Sequence, residues 1–388
     1  MADIEKTVSI LFQGKDTLSG SIKSMEGKLN SFADNAQKVT QPLADIATSI
    51  LEVNAAMNAL LAGGIVLATK KAGEFGDSFA EISTLIDATS QDINKFKGDI
   101  LDYSNDSVKS LDDINAAVYT AISAGTDYAE SLDLTRQAEK LAIASKADLE
   151  PTTRLLATTM NAYGVGVDKI QKFSDIFFQT VESGLTTLPE LAEHLSMVTG
   201  IAANAGVPIE TLSAAMATIT SKGAPTSQAV TRIKSAIDAI VAPSIMAAKE
   251  AKNLRIQFDA EALASKGLEG VLNDVMEATD GNSARLKKLF GTTKAVTGVL
   301  DLAGDGGVVF QGILNDMKDA TGATDTAYGK MADGFGLANQ KLVNNINSTI
   351  IKIGDKIIDK YGAVVGALTE AISVIGEGVD SSTFEPIW

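Results

Sequence analysis

Apolar residues in the central part of the chain, about 73 to 245, step by three and four positions, which is the spacing of one face of an α-helix. Three such stripes consist of Leu111, Ile114, Val118 and Ala121; Leu188, Leu191, Leu195, Val198 and Ala202; and Ile209, Leu212, Met216 and Ile219. A surface helix buries its apolar stripe against its neighbours. The pattern therefore predicts several amphipathic helices, each with one buried face.

Polar residues and glycines mark where these helices begin and end. The spacing of a capping box, Ser or Thr followed three residues later by an acid, occurs at Thr89 with Asp92, Ser110 with Asp113, and Thr187 with Glu190. Glycines that can take the left-handed conformation after a last turn stand at 125, 164, 184, 206 and 223. Connections such as 206-GVP-208 are short, so successive helices must fold back into a compact bundle.

The N-terminal flank has a different pattern. Residues 5–13, EKTVSILFQ, collect Thr, Val, Ile and Phe over a short length before Gly14, and they are the best strand candidate. From 16 to about 72 the spacing is helical, with a break near Pro42 because a proline ring disrupts a helix interior. We expect two helices here, of which the second is long.

A long helical pattern, 339-NQKLVNNINSTIIKIGDKIIDKYGAVVGALTEAISVI-375, lies near the end of the sequence. One stripe in it contains Leu342, Ile346, Ile350, Ile353, Ile357 and Ile358. The chain offers no obvious partner for so long a stripe, which favours packing between copies of the chain.

Together these patterns predict an all-α fold with at most one short strand. We expect three parts: 1–72, a short strand with long helices; 73–245, the compact multi-helix bundle; and 246–388, a helical region ending in a long helix.

Length and charge limit the class of protein. At 388 residues the chain exceeds the roughly 250–300 residues at which single cores stop growing, so two or three packed units are expected. A formal net charge of −16 repels phosphate backbones and argues against nucleic-acid binding. Cysteine is absent, which excludes disulfides and thiolate metal sites. The start, MADIEKTVSILFQG, has acids before any apolar run and does not read as a signal peptide.

One segment, 53-VNAAMNALLAGGIVLAT-69, could be mistaken for a membrane span because its 17 residues are uncharged. A span needs about 20 predominantly apolar residues, whereas this segment contains many Ala and Gly residues and the amides Asn54 and Asn58. A buried or oligomer-facing helix is favoured, with membrane contact through 53–69 as the alternative.

Candidate catalytic chemistry is sparse. The single histidine, His194, follows Glu190 by four residues on the same helix face, so an ion pair or half of a metal site is geometrically possible. A zinc or di-iron site needs further ligands, and the helical Glu-x-x-His spacing is missed by one residue. A Ser-His-Asp arrangement would need the same imidazole, and no Gly-x-Ser-x-Gly elbow is present. We expect His194 to be structural.

The other polar motifs have structural explanations. Paired acids such as Asp112 with Asp113 lie at helix starts, where they cap the helix and complement its dipole. The glycines of 304-GDGG-307 and 164-GVG-166 form no phosphate loop, and 280-DGNSAR-285 and 319-DATGATD-325 lack calcium-loop spacing. Lys287 with Lys288 is an isolated doublet. We therefore predict no catalytic, cofactor-binding or metal-binding residues, no cofactor, and no enzyme activity.

The central segments resemble a known family. They are 74-EFGDSFAEISTLI-86, 110-SLDDINAAVYTAISAGTDYAESL-132, 152-TTRLLATTMNAYGV-165, 186-TTLPELAEHLSMVTGIAANAGVPIETLSAAMATITSKG-223 and 224-APTSQAVTRIKSAIDAIVAPS-244. Their order, with an Ala-Gly helix end, an Asn-Ala-Tyr-Gly turn and an Ala-x-x-Ala-Gly-Val joint, resembles the core region of tape measure proteins of long-tailed bacteriophages. The resemblance covers about 170 residues.

This resemblance implies a structural role in the virion tail. Copies of such a protein associate along the tail axis as coaxial helices, tube protein polymerises around them, and the extent of the tape sets tail length. The implied partners are the chain itself, tail tube proteins, tail tip or baseplate proteins and tail assembly chaperones. The implied location is the tube interior, after assembly in the host cytoplasm, and some relatives aid genome delivery at the host envelope.

The sequence departs from the family in one respect. Tape measure proteins usually carry a long extended helical region after the core, whereas this sequence reaches 384-FEPIW-388 without one. We expect either a shortened form or a very short tail, with 73–245 as an end piece because a folded-back bundle discards length. Two other classes remain: a helical pore-forming protein that uses 53–69, and an enzyme built on a helical bundle.

Overall fold

The computed structural model describes the backbone of residues 55–304, 307–332 and 339–358. Within these ranges every regular element is helical, which confirms the all-α prediction. The strand predicted at 5–13 lies outside the described residues. The chain divides into two compact units, Met1–Leu67 and Ala68–Trp388. The three-part division with boundaries near 72 and 245 stays a prediction.

One long helix, α1, is followed by shorter helices joined by tight connections in the first part of the described chain. Helices α1 to α9 are Ala55–Ser83, Ser90–Asp106, Leu111–Ser123, Tyr128–Ala144, Leu149–Tyr163, Ile170–Ser183, Leu188–His194, Ser196–Asn204 and Ile209–Ser221. A 3₁₀ turn, Val167–Lys169, precedes α6.

The second part continues in the same way. Helices α10 to α16 are Thr226–Val241, Ile245–Leu254, Ala260–Thr279, Ser283–Phe290, Thr293–Ala303, Gly307–Lys318 and Ala323–Ala332, and α17 is 339–358. Helix α12 is interrupted at Gly267, whose backbone has φ 72° and ψ 172°.

The predicted helix starts are confirmed, with one difference. Ser110 with Asp113 and Thr187 with Glu190 form complete capping boxes. The Thr89 hydroxyl accepts a hydrogen bond from the amide of Asp92 at 3.2 Å, but it donates to the Asp92 carboxylate, 2.6 Å away. Helix α2 is therefore capped by the Thr89 side chain, but the Asp92 carboxylate bonds to the Thr89 hydroxyl and not to its backbone amide.

The predicted left-handed stops are confirmed at Gly125, Gly164, Gly206 and Gly223, which have positive φ. The prediction is wrong for Gly184, which is extended at φ −106° and ψ 164°. A Cβ at Gly184 would lie 2.6 Å from Oγ1 of Thr220 on α9. Glycine is needed there because the end of α6 approaches α9 too closely for any side chain.

Helix α9 lies at the centre of the packing and is buried on nearly all sides. It contacts α6, α10, α14 and α15. The sequence predicted one buried stripe, but the intervening residues are buried as well, including Thr218 and Thr220. Their hydroxyls donate to the carbonyls of Ala214 and Met216 at 2.8 Å, so no polar group of these two side chains is left unpaired in the core. The single-stripe prediction failed because alanine and threonine can be buried on any face.

The motifs that carried the family resemblance are joined in the fold by one turn. In the Asn-Ala-Tyr-Gly motif at the end of α5, the side-chain amide of Asn161 donates to the carbonyl of Ala124 at the end of α3. The Tyr163 hydroxyl donates to the carbonyl of Val207 after α8, at 3.0 Å. Burial, with a smaller effect from Glu210, raises the pKa of Tyr163, so the hydroxyl keeps its proton as a donor. One turn thus ties three helix ends together.

Helices α15 and α16 pack against helices from the first part of the described chain. Helix α15 packs on α9 and α6, and α16 packs on α4 and α6. The buried carboxylate of Asp175 on α6 accepts hydrogen bonds from the amides of Gly322 and Thr324, at 2.8 and 2.9 Å. An acid at a helix N-terminus satisfies otherwise unpaired amides and complements the helix dipole. Asp175 therefore fixes the start of α16.

Candidate functional site: the docking surface of the C-terminal helix

Helix α17 is the last helix in the described part of the chain, and it is held by polar side chains. Its buried face contains Asn344 and Ser348, with exposures of 1% and 2%, together with Ile351. The side-chain amide of Asn344 donates to two backbone carbonyls in the loop after α2, those of Ser107 at 3.0 Å and Lys109 at 2.7 Å. An asparagine buried with two such partners fixes the register of α17 on this loop.

A second set of hydrogen bonds holds α17 against the end of α2. The side-chain amide of Asn345 donates to the backbone carbonyl of Asn105 at 2.8 Å. The hydroxyl of Ser348 donates to the side-chain oxygen of Asn105. Because the last carbonyls of a helix have no partner within the helix, α17 satisfies acceptors that α2 leaves open.

Two ion pairs continue the contact along α2. The ammonium of Lys97 lies 2.9 Å from the carboxylate of Asp355, and both side chains are mostly buried. The ammonium of Lys352 lies 2.6 Å from the carboxylate of Asp102, in a more exposed position. We call Lys97, Asp102, Asn105, Ser107 and Lys109 the docking surface of α17.

The backbone of α17 also crosses α1 at very short range. At Gly354 an added Cβ would lie 2.0 Å from the carbonyl oxygen of Ala68 and 2.7 Å from the Cβ of Ala72. Both alanines are buried. A crossing this close requires glycine on one helix and small residues on the other.

Below the docking surface, a buried carboxylate shapes the loop that receives Asn344. Glu139 on α4 is only 3% exposed. It accepts hydrogen bonds from the Tyr103 hydroxyl, from the Ser107 hydroxyl at 2.8 Å and from the Val108 amide at 2.8 Å. Burial, followed by the nearby Glu139 charge, raises the pKa of Tyr103 well above its usual range. Tyr103 therefore stays a donor, and the loop is fixed by groups that do not belong to α17.

The isoleucine stripe predicted from the sequence lies on the other side of α17. At about 100° per residue, Ile346, Ile350, Ile353 and Ile357 fall roughly opposite Asn344 and Ser348. Ile346 is 42% exposed. Ile358 was wrongly assigned to this stripe, because it packs against the core. Packing between copies through the remaining residues stays a prediction.

The residues examined for catalysis are engaged in structural contacts. Glu190 does not reach His194; its carboxylate accepts from the Thr187 amide at 3.1 Å and from the Thr226 hydroxyl at 3.1 Å. His194 lies at the end of α7, with Nε2 3.9 Å from the carboxylate of Glu193. Asp113 belongs to a capping box. Within the described ranges, no three His, Cys, Asp or Glu side chains are grouped closely enough to hold a metal ion.

The remaining sequence motifs are also placed. The ammonium of Lys288 lies 3.3 Å from the carboxylate of Glu250, and the ammonium of Lys287 donates to the Thr293 hydroxyl. Residues 305 and 306 of the glycine-rich stretch lie outside the described residues. Of the helices described, α1 included, none combines the length and hydropathy needed to cross a membrane.

Comparison with known proteins gives a consistent picture. The model of the phage-related minor tail protein family matches residues 97–291, just over half of the chain. The probable tape measure protein of Clostridium phage phiCD119 is 23% identical over 322 residues, which are 80% of this chain and 34% of that protein. The tape measure protein of Pneumococcus phage Dp-1 is 21% identical over 353 residues, 87% of this chain and 31% of that protein.

The chain spans about a third of the length of the curated relatives it matches. No solved structure matches it. These relatives lend no support to the pore-forming alternative. The family match covers the helices from α2 to the end of α13, and on that basis the chain belongs to the family of phage-related minor tail proteins and is a structural component of a phage tail.

Proposed function

We propose that this chain is the folded anchor portion of a tape measure protein, which templates assembly of the tail tube and takes part in setting tail length. The observation that carries the proposal is the similarity to two tape measure proteins over 80% and 87% of the chain. Its proposed partners are further copies of itself, as coaxial helices, tail tube proteins, tail tip or baseplate proteins, and assembly chaperones. Its proposed place is inside the tube, after assembly in the host cytoplasm.

The fold supports the role of an anchor over that of a ruler. A continuous helix converts sequence into distance at about 1.5 Å per residue. In this chain Asn344 and Ser107 are hydrogen-bonded although 237 positions separate them in the sequence. Folding back therefore removes the length that these residues could measure. The length of the tail must then depend on helical sequence that continues outside the packed helices.

We further propose that the chain has no catalytic function of its own. The acids and hydroxyls that drew attention in the sequence, such as Glu190 and Asp113, are used to cap helices. The Nε2 atom of His194 lies 3.9 Å from the carboxylate of Glu193. Membrane contact through 53–69 and a contribution to genome delivery also remain predictions.

An in-frame deletion of residues 68–332 from the phage gene tests the anchor. Without the packed helices, nucleation of the tube should fail, and lysates should contain filled heads but few or no tails by electron microscopy. An immunoblot must show that the shortened protein accumulates. The control is Gly73→Ala, where an added Cβ meets nothing within 4 Å. Normal tails in the deletion phage would contradict the proposal.

A further inference from the structure

We infer that α17 is a releasable latch, which leaves its docking surface as an intact unit while the helices before it stay folded. The inference rests on the contacts of α17 and does not depend on the proposed function. A segment opens separately from the rest of a protein when few buried apolar contacts hold it.

The buried face of α17 fits that description. On that face of α17, Ile351 is buried beside Asn344, Ser348 and the backbone of Gly354, and the partly buried Ile358 adds a second apolar contact with the core. Hydrogen bonds to carbonyls exchange for hydrogen bonds to water when a helix leaves, so they contribute little net stability. By contrast, α9 is held by Leu212, Met216 and Ile219, which have no exposed surface.

The docking surface can also be exposed to water without leaving buried groups unpaired. The carbonyls of Asn105, Ser107 and Lys109 lie at the end of α2 and in the following loop, where water can replace the amides of α17. The loop keeps its shape in the absence of α17, since Glu139 holds the Val108 amide from below. Release therefore needs no rearrangement of the receiving helices.

The more exposed of the two ion pairs, Lys352 with Asp102, makes the latch sensitive to salt. The Lys352 and Asp102 side chains are 42% and 68% exposed, and those of Lys97 and Asp355 are 21% and 29% exposed. Exposed charge pairs are screened by added salt, while burial of apolar side chains is not weakened in this way. Salt should thus loosen α17 more than the core. A pull on the chain after residue 358 would act on the same contacts first.

Hydrogen exchange on the full 388-residue chain, read by mass spectrometry, tests the latch. Peptides from 339–358 should exchange roughly tenfold faster, or more, than peptides from α9. Raising NaCl from about 0.05 M to about 0.5 M should speed exchange in α17 several-fold and leave α9 unchanged. Equal rates in α17 and α9, or acceleration of both by salt, would overturn the inference, because α17 would then open only with the core.

A disulfide lock separates release of α17 from fraying of the helix in place. The double variant Asn105→Cys with Ser348→Cys joins two contacting positions, and the natural chain has no cysteine to compete. Oxidation should slow exchange in 339–358 roughly tenfold, and reduction should restore it. The Ser348→Cys single variant is the control and should not respond to oxidant. Fast exchange that persists in the oxidised double variant would contradict release.

Discussion

Replacing Glu139 by alanine should lower the free energy of unfolding by about 3 kcal/mol, because three donors lose their acceptor at a buried position. The Tyr103 hydroxyl, the Ser107 hydroxyl and the Val108 amide would each need a new partner, and a water molecule in the space left behind could serve only some of them. The loop that receives Asn344 would lose its support. Urea denaturation followed by circular dichroism measures the change.

Two further variants make the Glu139 experiment specific. In Glu139→Gln the amide oxygen can still accept from Val108, and the new NH₂ group can donate to the two hydroxyls, so we expect a smaller loss than in alanine. Glu130→Ala, an exposed acid on the same helix, should change stability by less than about 1 kcal/mol. Equal stability of the Glu139→Ala and Glu130→Ala variants would show that the buried carboxylate does not support the loop.

Replacing Gly354 by leucine should detach α17 from the other helices. A Cβ at this position would overlap the Ala68 carbonyl oxygen, at 2.0 Å, and no rotation of the new side chain relieves a clash of the Cβ itself. The helix must move away, and the hydrogen bonds of Asn344 and Ser348 are lost with it. Limited trypsin digestion should then cleave at Lys352 and Lys356 at least roughly tenfold faster than in the natural chain.

The matched control is Gly73→Ala, a glycine on α1 where an added Cβ has open space. It should leave cleavage in α17 unchanged and slightly stabilise α1, since alanine favours a helix over glycine by about 1 kcal/mol. The melting transition of the core should survive in Gly354→Leu, because nearly all of the residues that fill the core lie in other helices and α17 contributes only Ile351 and the partly buried Ile358. Unchanged cleavage at Lys352 in Gly354→Leu would mean that the close crossing does not hold α17.

Much of the fold is predictable because local signals and packing agree. The capping boxes at Ser110 and Thr187 and the left-handed glycines at 125, 164, 206 and 223 act within a few residues, so the spacing of the sequence reports them directly. Gly184 was misread because its role depends on Thr220, which is distant in sequence but adjacent in the fold. The burial of nearly all of α9 was missed for the same reason, since threonine gives no apolar signal.

The docking surface of α17 could not be predicted from the sequence. The amphipathic rule assigns the isoleucine face to the interior, whereas the structure buries Asn344 and Ser348 instead. Only the partners, the Ser107 and Lys109 carbonyls, make that burial favourable, and these lie more than 230 positions away. The one available signal was the run of asparagines at 344 and 345 in a helix, residues that favour neither a helix interior nor an apolar face.

Glu139 and Asp175 show why buried acids escape detection. In the sequence each is one of 49 acidic residues. Most acids lie on the surface, and the exceptions are recognised only by their donors, such as the Val108 amide for Glu139 and the Thr324 amide for Asp175. Glu139 fixes the loop that receives Asn344, and Asp175 fixes the start of α16.

The central claim is that helical sequence following the packed helices sets tail length, while the packed helices only anchor it. The direct measurement is the tail length of phage particles, by electron microscopy, after insertion of the same 56-residue heptad helix, about 84 Å long, at one of two sites. Inserted after Ile358, it should lengthen the tail by about that amount. Inserted after Pro243, in the short connection between α10 and α11, it should leave tail length unchanged. Tails that keep their length with both insertions, or grow equally with both, would contradict the account.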